Sequence, residues 1–201
     1  DESESRGLGD VYKRQKLIKR YKRFFTDVKL GKEIVTAHCP NTGSMKGLLD
    51  EGNDVYVLPN NDPKRKLKYG LEIIKASKNL VGVNTHMANR IAQHGLENNL
   101  IKELKDNDNI KPEVFFNKET RFDFLTEKNK QKSFVEVKNV TLFRDNNTAE
   151  FPDAITTRGS KHLLTLIDAI KKGYKSYLLF LVQIQNMESV SYTHLTLPTT
   201  D

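Results

Sequence analysis

Apolar positions along the chain recur at two different periods, and the change from one to the other divides it. From Leu17 to Val83 they come in short β-rich runs: Leu17 to Phe25, Glu33 to Ala37, Asp54 to Leu58, Leu71 to Ala76 and Leu80 to Val83. Turn residues separate them at Leu30-Gly31-Lys32, His38 to Gly47, Glu51-Gly52-Asn53 and Pro59 to Pro63. Runs at this spacing predict a small all-β barrel. At Asn84-Thr85 the period lengthens. Thr85 can cap a helix through Met87, Ala88, Ile91 and Ala92, and a second helical run passes through Leu96, Leu100, Ile101 and Leu104. The domain boundary is therefore placed near Asn84, with a barrel over 16–83 and a second domain over 84–189.

The second domain reads as α/β. Val114 to Phe116 opens a meander that continues through Arg121–Leu125 and Phe134–Leu142, with a polar hairpin from Thr126 to Ser133. Arg144 to Glu150 reads as a polar loop. Thr156 or Thr157 starts the next helix, with Leu163, Leu166, Ile167 and Ile170 facing the core and Gly173 ending it. Tyr177 to Val182 is the following buried strand.

Two strands of the meander carry charge in apolar surroundings. Residues two apart on a strand share a face, so Glu136 and Lys138 project together while Val135 and Val137 face the other way. Asp123 sits between Phe122 and Phe124, and pairing of the two strands would bring it near Glu136. A lone Glu-x-Lys is most often a solvated pair. Two carboxylates and a lysine on one sheet are also what metal-dependent phosphodiester cleavage needs, because Mg²⁺ takes one or two carboxylates and keeps several waters. Asp123 and Glu136 would hold Mg²⁺ or Mn²⁺, the Val137 carbonyl would complete the site, and Lys138 would serve the attacking water.

At these residues the chain resembles the sugar fermentation stimulation proteins. Arg121-Phe122-Asp123-Phe124, Glu136–Leu142 and Phe151–Leu163 resemble three of that family's signature blocks, and Leu17–Phe24 and His38–Met45 resemble two more. The resemblance implies an OB-like barrel joined to a restriction-endonuclease-like α/β domain of the PD-(D/E)xK type, continuing past the point where this chain stops, so that the domain is truncated at its C-terminus. It also implies DNA binding. Phe122 stands where many nucleases of that superfamily have proline.

The ends of the chain read differently. Asp10–Gln15 can be written GAT GTG TAT AAG AGA CAG, and the reverse complement in another frame gives Val190-Ser191-Tyr192-Thr193-His194. That string looks like a transposon end used to prepare DNA libraries, with Ser5–Asp10 and Leu195–Thr199 as adapter arms. Residues 1–15 and 190–201 are accordingly read as non-native flanks of a metagenomic fragment and set aside. The formal net charge of +7 becomes +9 without them, since each flank carries −1. An excess of that size suggests an anionic partner, nucleic acid before membrane surface.

Candidate DNA contacts follow the basic residues. Lys19, Arg20, Tyr21, Lys22 and Arg23 interleave cations with aromatic rings, as surfaces that track phosphates and stack bases do. Aromatics in a barrel core with solvated lysines would give the same pattern. Asn41, Thr42 and Ser44 lie in a loop that can offer N–H groups to a phosphate or merely turn the chain. Lys64, Arg65 and Lys66 suit a DNA backbone and equally suit solvent. Arg158, Lys161 and His162 fall in a helix's first turn, which favours phosphate. Asp153, just before it, reads as a cap, a partner of Arg158 or an outer acid; the resemblance would let Glu97 or Glu103 supply the extra acid that some related nucleases place on the first helix, but a solvated helix face is the preferred reading of both.

Cys39 is the only cysteine, which excludes an intramolecular disulfide and a thiolate zinc cluster and points to a reducing, cytoplasmic setting. His38 beside it lacks further metal ligands. No run reaches the roughly 20 apolar residues of a membrane helix. The sequence thus predicts a DNA-binding protein with a nuclease-like site. A non-catalytic regulator of sugar (maltose) metabolism genes, as the family's name suggests, and an RNA- or nucleotide-directed enzyme are the alternatives. A homodimer stays open.

Overall fold

The structure, a computed structural model, describes residues 13–144, 147–151 and 157–192, with the side chains of Arg158 and Tyr192 outside the description. Most of both flanks, Asp153 and Thr156 also lie outside the described residues. In chain order the elements are β1 (Lys13–Tyr21), β2 (Phe25–Leu30), β3 (Glu33–His38), β4 (Asp54–Pro59), β5 (Tyr69–Ala76), β6 (Asn79–Gly82), α1 (Thr85–Glu97), a 3₁₀ turn (Lys102–Leu104), β7 (Asn109–Phe115), β8 (Arg121–Lys128), β9 (Gln131–Val140), β10 (Leu142–Phe143), β11 (Thr148–Phe151), α2 (Thr157–Lys171), β12 (Lys175–Val182) and β13 (Ser189–Tyr192). They form two compact units. One takes the described residues up to Thr85 with those of 141–153 and 183–191, and the other those of 86–140 and 154–182.

In the first unit β1 pairs with β2 and β4, β2 with β3 and β4 with β5, all antiparallel. A parallel bridge from His38 to Gly70 joins β3 to β5 and closes a five-stranded barrel. Alternation supplies its core. Leu17, Val28, Ala37, Val55, Val57, Leu71 and Ile74 are all buried, each large side chain contributing about 1.5–3 kcal/mol. Register shifts at Leu17/Lys19 and Tyr56/Val57 bend the strands that must close. The run from Leu17 to Phe25 is not one strand, because Lys22 and Arg23 take φ 47° and 62° and turn β1 into β2.

β6 pairs with β5, and the chain returns much later to cover it: Gly82 N–H donates to Gln183 O at 2.8 Å and Gln185 N–H to Leu80 O at 2.9 Å. Gly82 leaves room for this return, since a Cβ there would lie 3.0–3.2 Å from the Gln183 side chain and would have to push it back by a few tenths of an ångström. β10, β11 and β13 form a small sheet. The stretch read as a polar loop, Arg144 to Glu150, is therefore partly strand, with Glu150 opposite Leu142 and the buried Ala149 opposite Phe143.

Lys13–Gln15, read as part of a flank, extend β1 alongside β4. Across that pair Asp54 meets Arg14 at 2.6 Å and Lys16 at 2.8 Å. Hydrogen bonds from Arg14 and then Lys16 outweigh the upward push of burial and lower the Asp54 pKa from 3.8 to about 2. A carboxyl depressed in the folded state stabilises fully above its unfolded pKa and loses that contribution as pH falls through the folded one. Urea midpoints should therefore favour the wild type over Asp54→Asn by a constant margin above pH 4, and the margin should shrink towards pH 2. A margin that grows on acidification would contradict this ion-pair account.

In the second unit β7, β8 and β9 form the antiparallel meander and β12 joins β9 in parallel, giving the order β12-β9-β8-β7. The β8–β9 turn is only Asn129-Lys130, at φ 51° and 66°, shorter than the hairpin read from Thr126 to Ser133. Both positive angles match a type I′ turn. Helices cover both faces of the sheet. Ala88, Ala92 and Leu96 of α1 pack with Phe124, Val135 and Val137, while Leu166 and Ala169 of α2 pack with Phe122 and Phe134. β9, flanked on both sides and covered on both faces, is buried continuously from Ser133 to Val137.

Two helical readings change. The second run through Leu104 is only the 3₁₀ turn, because the chain turns at Asn99 (φ 56°) and Leu100 N–H closes on Gly95 O at 2.9 Å. On α2 the buried stripe is Thr165, Leu166 and Ala169, and Ile170 points outward, 55% exposed. Gly173 at φ 87° ends that helix, with Tyr174 N–H returning to Ala169 O at 3.1 Å. Among the described residues no helix is long and apolar enough to cross a membrane.

Candidate active site

Asp123 owes its position to a fault in the sheet. The β7–β8 ladder joins Pro112 to Phe124 and Val114 to Phe122, and omits the intervening rung, where Glu113 takes φ 56°. Alternation breaks there: Phe122 and Phe124, two residues apart, enter different core clusters on opposite sides of the sheet. The β8–β9 ladder likewise extends only to Phe124 opposite Val135. Just past it the Val137 N–H donates to Asp123 Oδ2 at 2.7 Å. A side-chain carboxylate thus satisfies a backbone donor in place of a strand partner. Asn89 of α1 donates to the other oxygen, Oδ1, at 2.7 Å.

Glu136 and Lys138 share one face of β9, as alternation predicts. The Lys138 ammonium donates to Glu136 Oε1 at 2.6 Å, and His162 Nδ1 lies 2.6 Å from the same oxygen. All three are largely shielded, with side chains 6% exposed for Glu136, 13% for His162 and 19% for Lys138. His162 continues the buried stripe of α2, since 162, 165, 166 and 169 follow helical spacing. A histidine in register with an apolar stripe faces the sheet, and this signal was present in the sequence.

The two carboxylates are driven apart electrostatically. Burial and then the nearby Glu136 charge raise the Asp123 pKa, against the opposing pull of the Val137 N–H, Asn89 and Lys138. Burial alone would raise Glu136 too, but the His162 hydrogen bond and the Lys138 charge together bring it below the ordinary range. Both acids line a cavity of about 640 Å³ with Glu113, Phe115, Arg121 and His162.

Among the described residues no three His, Cys, Asp or Glu side chains gather as a metal cage. Asp123 and Glu136 are oxygen donors of the kind that hold a hydrated, oxygen-seeking cation through one or two carboxylates. Asp123, carrying the repulsion of a neighbouring acid in a buried place, is the group such a cation would relieve. As oxygen donors, the two carboxylates fit Mg²⁺ or Mn²⁺.

The remaining candidates separate into three places. In the barrel Lys19 lies over the Tyr21 ring at 5.8 Å, Tyr21 O–H donates to Asp27 at 3.2 Å, and Lys22 and Arg23 are exposed in the β1–β2 turn. Arg20 is committed internally, its guanidinium donating to the carbonyls of Arg23, Asn41 and Gly43 at 2.8–3.2 Å. Asn41 is buried and accepts the Gly43 N–H at 2.8 Å, so it shapes the loop in which Thr42 and Ser44 are exposed. Lys64, Arg65 and Lys66 are exposed between β4 and β5, with Arg65 4.0 Å from Asp62. In the second unit Lys161 pairs with Glu119 at 2.6 Å at the cavity's edge, and Arg158 lies in the first turn of α2. Sequence reasoning assigned no role to Asn89 and placed His162 on phosphate; the structure sets them on Asp123 and Glu136.

Comparison with known proteins covers both units. The family model of the SfsA N-terminal OB domain matches residues 18–83, and that of the sugar fermentation stimulation protein RE domain matches residues 86–198. The sugar fermentation stimulation protein homolog of Pelagibacter ubique (strain HTCC1062) is 80% identical over 174 residues, covering 87% of this chain and 75% of the relative. The homolog of Geotalea uraniireducens (strain Rf4) is 44% identical over 176 residues, covering 87% and 76%. Among solved structures, Pyrococcus furiosus SfsA in complex with Ca²⁺ matches with a TM-score of 0.80 at 25% identity, covering 89% of this chain and 76% of that one. Matched in both its barrel and its α/β part, the chain belongs to the sugar fermentation stimulation protein family.

Proposed function

We propose that this chain binds nucleic acid, DNA foremost, and hydrolyses its phosphodiester bonds with a hydrated Mg²⁺ or Mn²⁺ at Asp123, Glu136 and the Val137 carbonyl. The observation that carries this reading is the meeting of two shielded carboxylates, Asp123 and Glu136, in one cavity, with the Lys138 ammonium 2.6 Å from Glu136. The relative from Pyrococcus furiosus was solved in complex with Ca²⁺, another oxygen-seeking cation, which supports it. Binding is supported by the barrel. Its two exposed basic clusters, Lys22-Arg23 and Lys64–Lys66, sit on the β1–β2 and β4–β5 connections, the loops by which OB folds hold oligonucleotides.

When bound, the cation would polarise the phosphate and lower the pKa of a coordinated water. The chain's own groups do the rest. Asn89 and the Val137 N–H fix the Asp123 carboxylate, and His162 fixes Glu136. Lys138 orients the attacking water and offsets the negative charge that grows on the phosphate oxygens. Lys161, at the rim, attracts the phosphate as it enters.

One feature favours the second reading, a regulator that binds without cutting: Lys138 and His162 both engage the same Glu136 oxygen. The two readings separate in one assay. The chain is incubated with single-stranded and duplex DNA in Mg²⁺, Mn²⁺ or EDTA, beside Lys138→Ala. Cleavage that needs the metal and falls by roughly 10²-fold or more in the variant is expected. Intact DNA in every tube, with binding retained, would leave only the regulator.

A further inference from the structure

Phe115 ends β7 and is 65% exposed, an unusual setting for a ring that lines a cavity with two carboxylates. Single exposed apolar residues are ordinary, but this one is built into a frame. Arg121, its partner across the β7–β8 ladder, lays its guanidinium over the ring at 5.7 Å. Glu113 in turn holds Arg121 at 2.7 Å. All three line the cavity that contains Asp123, Glu136 and His162. The ring is thus backed on one side by a fixed cation and left accessible beside the reacting centre.

We infer that Phe115, backed by Arg121, is a stacking platform for an unpaired nucleobase next to the phosphate to be cut, so that the site selects single-stranded, flapped or frayed nucleic acid over intact duplex. This inference rests on the phosphodiester reading of the same cavity. Stacking on an aromatic ring is sequence-tolerant, because every base has a π face. In a duplex both faces of a base are already occupied. Arg121 precedes Asp123 by two residues, about 7 Å along β8.

The test uses the full chain with oligonucleotides carrying 2-aminopurine, whose fluorescence is quenched on stacking, in EDTA so that nothing is cut. Wild type should quench single strands, Phe115→Ala should lose the quenching and bind them about tenfold more weakly or worse, and Phe115→Tyr should retain both. Duplex binding should be the same in all three. In a cleavage assay with Mg²⁺, Phe115→Ala should raise KM on single strands and leave kcat unchanged. Unaltered affinity and unaltered quenching in Phe115→Ala would overturn the platform, whatever the cleavage result. Absence of cleavage with the quenching difference intact would remove hydrolysis and leave the platform standing. Failure to bind any oligonucleotide would overturn both.

Discussion

Glu136→Gln should lower metal-dependent cleavage by roughly 10³-fold or more, the several kcal/mol of charge stabilisation that a catalytic cation supplies. The substitution keeps size and removes charge at the point where it matters. Glu136 is buried, held below the ordinary carboxylate range, and is therefore anionic at neutral pH. The neutral amide would leave a bound cation one carboxylate, and it leaves Lys138 without its ion-pair partner. DNA affinity should change little, because the barrel's basic loops are untouched, and circular dichroism should be unaltered. Asp123→Asn should lose cleavage to the same extent but is a less clean test. Both Asp123 oxygens accept N–H bonds, from Asn89 and from Val137, and an amide must turn its own NH₂ towards one of those donors. That adds about 1–3 kcal/mol of instability. Wild-type cleavage rates in Glu136→Gln would remove this residue from the chemistry.

The largest effect on stability is expected at Phe122. Its ring is wholly buried, with Phe134 at 5.0 Å, Phe116 at 5.9 Å and the His162 imidazole edge-on at 6.5 Å. Phe122→Ala should cost about 3–5 kcal/mol, transfer and cavity terms together. It also removes the surface against which His162 is set, so the support of Glu136 weakens with it. Ile170→Ala on the outer side of α2 should shift the urea midpoint far less, within about 0.5 kcal/mol of wild type. Equal midpoints for the Phe122 and Ile170 variants would show that this aromatic cluster does not hold the second unit together.

What could be read from the sequence was whatever depends on period. Alternation in β9 put Glu136 beside Lys138, and short β runs before Asn84 announced a barrel. The site's geometry was harder to read because it depends on breaking that period. Nothing in Glu113 or its neighbours announces a positive φ, yet that residue faces Asp123 across the missing rung and shares the break that separates Phe122 from Phe124. His162 was legible in principle from the stripe it shares with Thr165, Leu166 and Ala169, but reading it into the first turn, when it is the sixth residue of α2, invited a phosphate. Arg20 shows what interleaving alone leaves unread. Basic and aromatic interleaving marks it as a surface residue, whereas its five donors suit three nearby carbonyls. The short strands β10 and β11 were read as loop because Thr148-Ala149-Glu150 carries too little apolar character to signal a strand on its own.

The return of Gln183–Gln185 to β6 imposes an order on biosynthesis. β6 leaves the ribosome about 100 residues before the segment that hydrogen-bonds to its free edge, an interval of about 5–20 s at ordinary elongation rates. A nascent barrel would meanwhile expose the Leu80 carbonyl and the Gly82 N–H on a strand edge, the kind of edge on which chains pair with one another. Slower translation between Gly82 and Gln183 should therefore lower the yield of native protein even where the finished chain is equally stable.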